Sequence, residues 1–398
     1  HRKTNTGNGD DCAMILLLVI IYLTFIGLGL PDALLGASWP TMGPELNAPL
    51  SAAGILSMIT SGGTVISSLM SARMIHRFRT GPVTIVSVLL TALALLGYVF
   101  APSYWWLCLL AIPLGIGAGS IDAALNNYVA LHYSALHMNW LHCFWGVGAT
   151  LSPLLIGAVL SGGGHWRQGY GLVALMLGLI TLVLLLSLPL WKRGDKREEE
   201  ARGKPKALIT NRQALTIPGM PYALLAFLCY CGLEGTVGLW AASYLVNIRG
   251  LDMATAASWA SLYFGGITAG RFLSGFVAIK LPGTLLIRIS CCMCLAGVLL
   301  LLLPLPLMVS FAALLLLGVG SAPFYPSMIH ETPKRFGKEA SQAAMGLQMA
   351  SAYMGSTFMP LILGFLAGQF SLTLWPWFLL ALVLGMLLLS ERIPKRRK

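Results

Sequence analysis

Long apolar runs, separated by short polar or Pro/Gly breaks, dominate the chain. They fall near 13–39, 51–72, 82–101, 104–131, 139–161 and 168–190, then near 219–247, 253–277, 283–303, 306–329, 339–367 and 371–390. A helix crossing a bilayer needs about 20 apolar residues, so the pattern predicts six spanning helices, a polar connection and six more. Strands of a membrane barrel would instead alternate over segments of about ten residues. The predicted layout is an N-terminal tail (1–12), a first six-helix half (13–190), a linker (191–218), a second half (219–391) and a basic tail (392–398). The chain starts with His1, and residues 1–11 carry no weight in this reading. The first run is too long for a signal-peptide core and shows no cleavage pattern.

Composition agrees with this class. Of 398 residues, 57% are hydrophobic and only 10% charged, against about 25% charged in soluble domains. So little charge cannot coat a water-facing surface, and a soluble fold is excluded. The net charge of +12 resembles a nucleic-acid signature only until the charges are placed. Twenty-four of the 26 Lys and Arg fall in the tails, the linker and the loops on one side, leaving Arg167 and Arg249 on the other. By the positive-inside rule both termini are expected in the cytoplasm, and no nucleic-acid partner is expected. The eight cysteines lie mostly within apolar runs without nearby His or acid, which reads as small apolar packing. No P-loop, His-rich metal cluster or Gly-x-Ser-x-Gly motif appears, so neither an enzyme nor an ATP-driven pump is expected.

The two halves repeat. A shift of 203 residues lays Gly29-Leu30 on Gly232-Leu233, Gly62-Gly63 on Gly265-Gly266, and Gly115-Ile-Gly117 on Gly318-Val-Gly320. A slightly larger shift lays Gly148–Pro153 on Gly355–Pro360. Parallel repeats of this kind place a substrate near the midplane between halves that rock to alternate access.

Ionisable residues deep in a span cost on the order of 2.5–3.5 kcal/mol each and call for an explanation. Asp32 follows Pro31, with Gly27 and Gly29 before it, so the first helix is expected to be broken or kinked beside its acid. Asp122 and Asn126 share one face of the fourth span and Asn127 sits beside it. One carboxylate and two carboxamides suit a polyhydroxylated ligand. His142 and Trp145 share a face of the fifth span. Glu234, one position from the repeat equivalent of Asp32, lies on the seventh span with Trp240 and Tyr244 further along. Tyr263, Tyr325, Tyr353 and Gln348 offer flat apolar faces and polar tips suited to a sugar ring. For each, helix packing is the competing reading. Arg73 and Arg271 fall at the cytoplasmic ends of the second helices within each half and are read as gating cations.

Asp32, Asp122 and the stretches Gly29-Leu-Pro-Asp32-Ala-Leu-Leu-Gly36, Asp122-Ala-Ala-Leu-Asn126-Asn-Tyr128 and Asn139-Trp-Leu-His142-Cys-Phe-Trp-Gly146 carry a resemblance. The chain resembles the major facilitator superfamily over almost its whole length. Within it, the chain is similar to the fucose–galactose–glucose:cation symporter branch and its bacterial relatives. The resemblance implies an all-α, twelve-helix membrane fold in two pseudo-symmetric halves, with Asp32 and Asp122 as a proton-handling pair and Asn126 in the substrate site. It departs from the family where Ala72, before Arg73, replaces the usual acid of an Asp-Arg pair. That departure implies a bias toward inward-facing conformations or looser gating.

The expected function is a secondary active transporter of a sugar or similar polyol, working as a monomer in the cytoplasmic membrane. No cofactor is expected beyond a coupling ion, the proton with sodium as the alternative, and Glu234 joins Asp32 and Asp122 as a coupling candidate. A proton-driven exporter of drugs or metabolites is the competing reading, and a sensor that binds without transport is a third. The polar set Asp122, Asn126, Asn127, His142 and Gln348 is what favours the sugar.

Overall fold

The computed structural model describes residues 6–133, 135–191, 211–337 and 340–394. Among these residues the chain forms fourteen α-helices. The first half contains α1 (Thr6–Glu45), α2 (Ala52–Phe78), α3 (Thr80–Phe100), α4 (Tyr104–His132), α5 (Ala135–Ser161) and α6 (Trp166–Leu186). A short α7 (Asn211–Leu215) precedes α8 (Met220–Asn247), α9 (Met253–Val277), α10 (Gly283–Leu302), α11 (Leu307–Ser321), α12 (Phe324–Phe336), α13 (Ser341–Gln369) and α14 (Trp375–Glu391).

Helices α11 and α12 are one span, interrupted at Ala322-Pro323. Pro323 has no amide hydrogen, and its ring opposes the preceding turn. Counting that pair once gives the twelve expected spans. Ten of them are long and apolar enough to cross a membrane by themselves. Of the other two, α9 falls short of that hydropathy, and the apolar part of α2 among the described residues is Ala52–Ser68. They hold the same rank in the two halves, and both lie on the seam between the halves. On α9, small and hydroxyl side chains such as Ser258, Ser261 and Thr268 meet protein on more than one face, so strong hydropathy is not required of it.

The repeat is visible in packing. In the first half α1 packs on α5, α2 on α4, and α3 on α4 and α6; in the second, α8 packs on α13, α9 on α11, and α10 on α11 and α14. Glycines at repeat-related positions make the same approach. A methyl on Gly115 would overlap the Thr60 carbonyl, and one on Gly318 would overlap the Tyr263 carbonyl. Gly148 meets the Ile26 carbonyl as Gly355 meets that of Leu228. With so little hydrophobic drive between helices in lipid, such close backbone contact is what binds them.

The first helix narrows the expectation of a break or kink beside Asp32. It is continuous through Pro31, so there is no break there. Gly29 is used for packing, because any side chain there would strike the backbone of Trp145 and Ala149 on α5.

The halves meet through α5 against α9, α2 against α13 and α1 against α8. Near Glu45 the approach is tight: Gly36 faces the Gly238 carbonyl, Gly54 faces Leu361, and Gly157 faces Ser258. On this same side Glu45 accepts from Trp166 Nε1 at 2.7 Å and pairs with Arg167 and with His165, the latter at 2.6 Å. We call this the Glu45 side, and the face carrying the α2–α3 turn the Arg79 side.

Candidate functional site

Asp32 lies well inside α1, between buried neighbours such as Ala33 and Leu34, yet its own surface is exposed. An accessible carboxylate in the interior of the bundle marks a solvent-reachable space between the halves. Its Oδ2 accepts from Trp145 Nε1 on α5 at 2.6 Å. Asp122 on α4 and Glu234 on α8 are within electrostatic reach of it.

Asp122 has neutral partners. Asn126, one turn on, donates Nδ2 to Asp122 Oδ1 at 2.7 Å and to its carbonyl at 3.0 Å. From the other half, the Tyr353 hydroxyl on α13 donates to Asp122 Oδ2 at 3.4 Å. The shared face expected for Asp122 and Asn126 is present in the structure. Asn127 is helical, and its side chain lies outside the described residues, as does that of Arg73.

Glu234 has a cationic partner. Arg271 Nη2 on α9 lies 4.0 Å from Glu234 Oε2, and the Tyr230 hydroxyl donates to the same carboxylate at 2.8 Å. The Arg271 Cζ also sits 5.4 Å from the centre of the Trp145 ring, within cation–π range. This location corrects the expectation for Arg271. It is nearly two turns before the end of α9, and its guanidinium turns inward, 12% exposed. Sequence position alone placed it at the helix end because Phe272 to Val277 continue the helix with no charge to mark the boundary.

The aromatic candidates divide. His142 meets Phe25 edge-on at 6.0 Å and lies 6.3 Å from Tyr325 across the seam. The Tyr325 hydroxyl points to Met349 Sδ at 3.1 Å. Three others are not brought to the accessible space. Trp240 is fully buried with Nε1 on the Pro360 carbonyl at 2.9 Å, fixing α8 to α13. Tyr263 is fully buried, with its hydroxyl 3.3 Å from Ser321. Gln348 is fully buried, accepting from Thr332 at 3.1 Å, while its Nε2 has no partner among the described residues. Phe264, edge-on to Trp145 at 6.2 Å, and Tyr230 join the site without having been singled out. Tyr230 was recoverable, since it precedes Glu234 by four residues on one helix face.

Carboxylates and one guanidinium thus converge on an interior space between two repeated helical halves, with no metal-binding cluster among the described residues. The arrangement defines a membrane carrier. The chain belongs to the Major Facilitator Superfamily, whose description matches residues 21–341. It is a multi-pass membrane protein of a family of transporters, not of enzymes. It is 23% identical over 299 residues to bypass of stop codon protein 6 of Saccharomyces cerevisiae, covering 69% of this chain and 60% of that one. It is 23% identical over 236 residues to the glucose/mannose transporter GlcP of Bacillus subtilis, covering 58% of this chain and 57% of that one. The similarity therefore spans less than two thirds of either relative. Its fold is similar to that of a bacterial homologue of the human lysosomal transporter Spinster in an inward-facing, unoccupied conformation. There the TM-score is 0.77 at 14% identity, over 99% of this chain and 100% of that one. A variant of the nucleoside transporter NupG gives a TM-score of 0.71 at 12% identity, over 94% and 97%.

Proposed function

We propose that the chain carries a sugar or similar polyol across the cytoplasmic membrane by proton symport, with Asp32 and Asp122 as the proton-handling carboxylates. The observation that carries this reading is the difference in partners among the interior acids. Asp32 and Asp122 are held by an indole N–H, a carboxamide and a phenol, all neutral, whereas Glu234 has Arg271. A carboxylate with no cation beside it in low dielectric gains most from taking up a proton when the cavity closes. Linkage then couples that proton to substrate binding. Asn126, His142, Tyr325 and Tyr353 supply the mix of directional polar groups and ring faces that a sugar uses. The relative named a glucose/mannose transporter supports the substrate class.

Charge asymmetry supports a cytoplasmic location for the Arg79 side and both termini. The tightly packed Glu45 side is then extracellular, and the state is closed to the outside.

The test is substrate-induced charge movement in proteoliposomes across hexoses, deoxyhexoses and disaccharides, under pH and sodium gradients, with Asp32→Asn and Asp122→Asn alongside. Currents for one sugar that follow the pH gradient and vanish in either variant are expected. Currents that follow sodium would change the ion. Silence toward every sugar, with pH-driven movement of lipophilic cations, would replace the reading with a proton-driven exporter.

A further inference from the structure

The site contains one interior guanidinium and, on either side of it, carboxylates from opposite halves. Trp145 stands between them. Its N–H edge is on Asp32 of the first half at 2.6 Å, and its ring face carries Arg271 of the second half at 5.4 Å. Beyond Arg271 lies Glu234, 4.0 Å away. The order across the seam is therefore acid, indole, cation, acid. The ring is fixed from both sides of the seam. Phe264 of α9 packs edge-on against it, and just beyond it the close approach of Gly146 to Thr268 fixes α5 against α9.

An Arg beside two carboxylates would ordinarily be shared between them, since a long guanidinium side chain reaches either. Here the indole fills the path to Asp32 and gives Asp32 a neutral donor in place of a charged one. We propose that Trp145 is a positioning residue that keeps Arg271 on Glu234 and off Asp32, leaving Asp32 as an acid that can exchange its proton. The proposal rests on the reading of Asp32 as a proton-handling residue and assigns Trp145 a part in it other than sugar contact. The other titratable or charged groups around this cluster are Asp122 on α4, His142 and Cys143 on α5, Tyr230 and Cys231 on α8, Tyr263 on α9, Tyr325 on α12 and Tyr353 on α13. Tyr170 of α6 is occupied with Ser38, and α2 carries no ionisable residue between Ala52 and Ala72.

The test is a pH titration of protonated-carboxyl bands in the purified full-length protein by infrared difference spectroscopy, with Asp32→Asn identifying the Asp32 band. Two substitutions of Trp145 pull in opposite directions. Trp145→Phe keeps the ring between the charges and removes only the N–H, so the band should half-develop at a pH higher by about one unit. Trp145→Ala opens the path to Arg271, so the midpoint should fall by about 1 to 3 units. In Trp145→Ala combined with Arg271→Gln that fall should vanish. A fall that persists in the double variant reports admitted water, and it would overturn the proposal, as would an unmoved midpoint in Trp145→Phe. If Trp145→Ala does not purify, Trp145→Leu makes the same comparison. A normal wild-type band with unresponsive variants refutes the role of Trp145 alone. Absence of any Asp32 band across the accessible pH range refutes the proposal and the proton reading together.

Discussion

The Glu234–Arg271 pair joins α8 to α9 within the second half, and its energetics can be worked from the geometry. At 4.0 Å the gross attraction is about 4 kcal/mol with an effective dielectric constant near 20. The two side chains are 22% and 12% exposed, so water reaches both and the net value is smaller. A coupling of about 1–3 kcal/mol between them is the expected range for contacting charges. The single changes should not be equal. Arg271→Gln leaves Glu234 with only the Tyr230 hydroxyl at 2.8 Å, an interior carboxylate without a cation. Glu234→Gln leaves Arg271 with the Trp145 face and its own long, adaptable side chain. Arg271→Gln should therefore cost more, and the double variant should be more stable than Arg271→Gln alone. The assay is the equilibrium of unfolding in mixed micelles with added SDS, run on the wild type, both singles and the double. Strict additivity of the two single costs would refute the claim that these residues form a pair.

Four further outcomes follow from the packing. Gly115→Val and Gly318→Val should each cost at least about 1–3 kcal/mol or prevent recovery of folded protein, because both strike a facing carbonyl; Gly275→Val, which meets open space, should be recovered normally in the same detergent-purification assay. Trp240→Phe removes the indole donor to the Pro360 carbonyl, which keeps its helical bond, and should cost about 0.5–1.5 kcal/mol in the unfolding assay without altering substrate selectivity. Glu45→Gln should loosen the Glu45 side, read as faster labelling of a cysteine placed at Ser51, since Trp166, His165 and Arg167 all converge on that carboxylate. At the start of α9 the Thr255 hydroxyl, and after it the Thr255 N–H, hold the Asp252 carboxyl below the usual aspartate range. Its capping contribution, about 1 kcal/mol, is complete above the ordinary aspartate value and is lost as pH falls through the lowered one, so the protection factor of the Thr255 amide, after correction for the intrinsic pH dependence of exchange, should fall on acidification in wild type but not in Asp252→Asn.

The fold was legible because its signals are large and repeated. Twelve apolar runs specify spans whatever their details, and glycines such as Gly115 and Gly318 recur because the same helix approach is made twice. The site was legible only where neighbours in sequence are neighbours on a helix. Asp122 and Asn126 were read together for that reason, and Tyr230 with Glu234 would have been. Trp145 against Asp32, or Arg271 against Trp145, depends on which faces of α1, α5 and α9 turn inward, and a near-uniform apolar background does not encode that rotation. Trp240 shows the opposite failure. An aromatic near an interior acid looks like a ligand contact in sequence, but its indole N–H is spent on a helix–helix bond.

Pseudo-symmetry explains the shape of the molecule, and the places where it breaks locate the chemistry. Asp32 and Glu234 stand at nearly equivalent positions of α1 and α8, so the repeat alone would give them one role. Their surroundings differ through the helices that cross the seam. The α5 position facing Asp32 holds Trp145, a neutral donor, and the α9 position facing Glu234 holds Arg271, a fixed positive charge. On the proposed function, Glu234, neutralised by a cation, would cross between states at little electrostatic penalty and without a coupling ion. Asp32, held by a neutral donor, would be the acid whose charge a coupling ion removes. Rocking two equal halves around unequal acids would then tie movement to the ion occupancy of one of them.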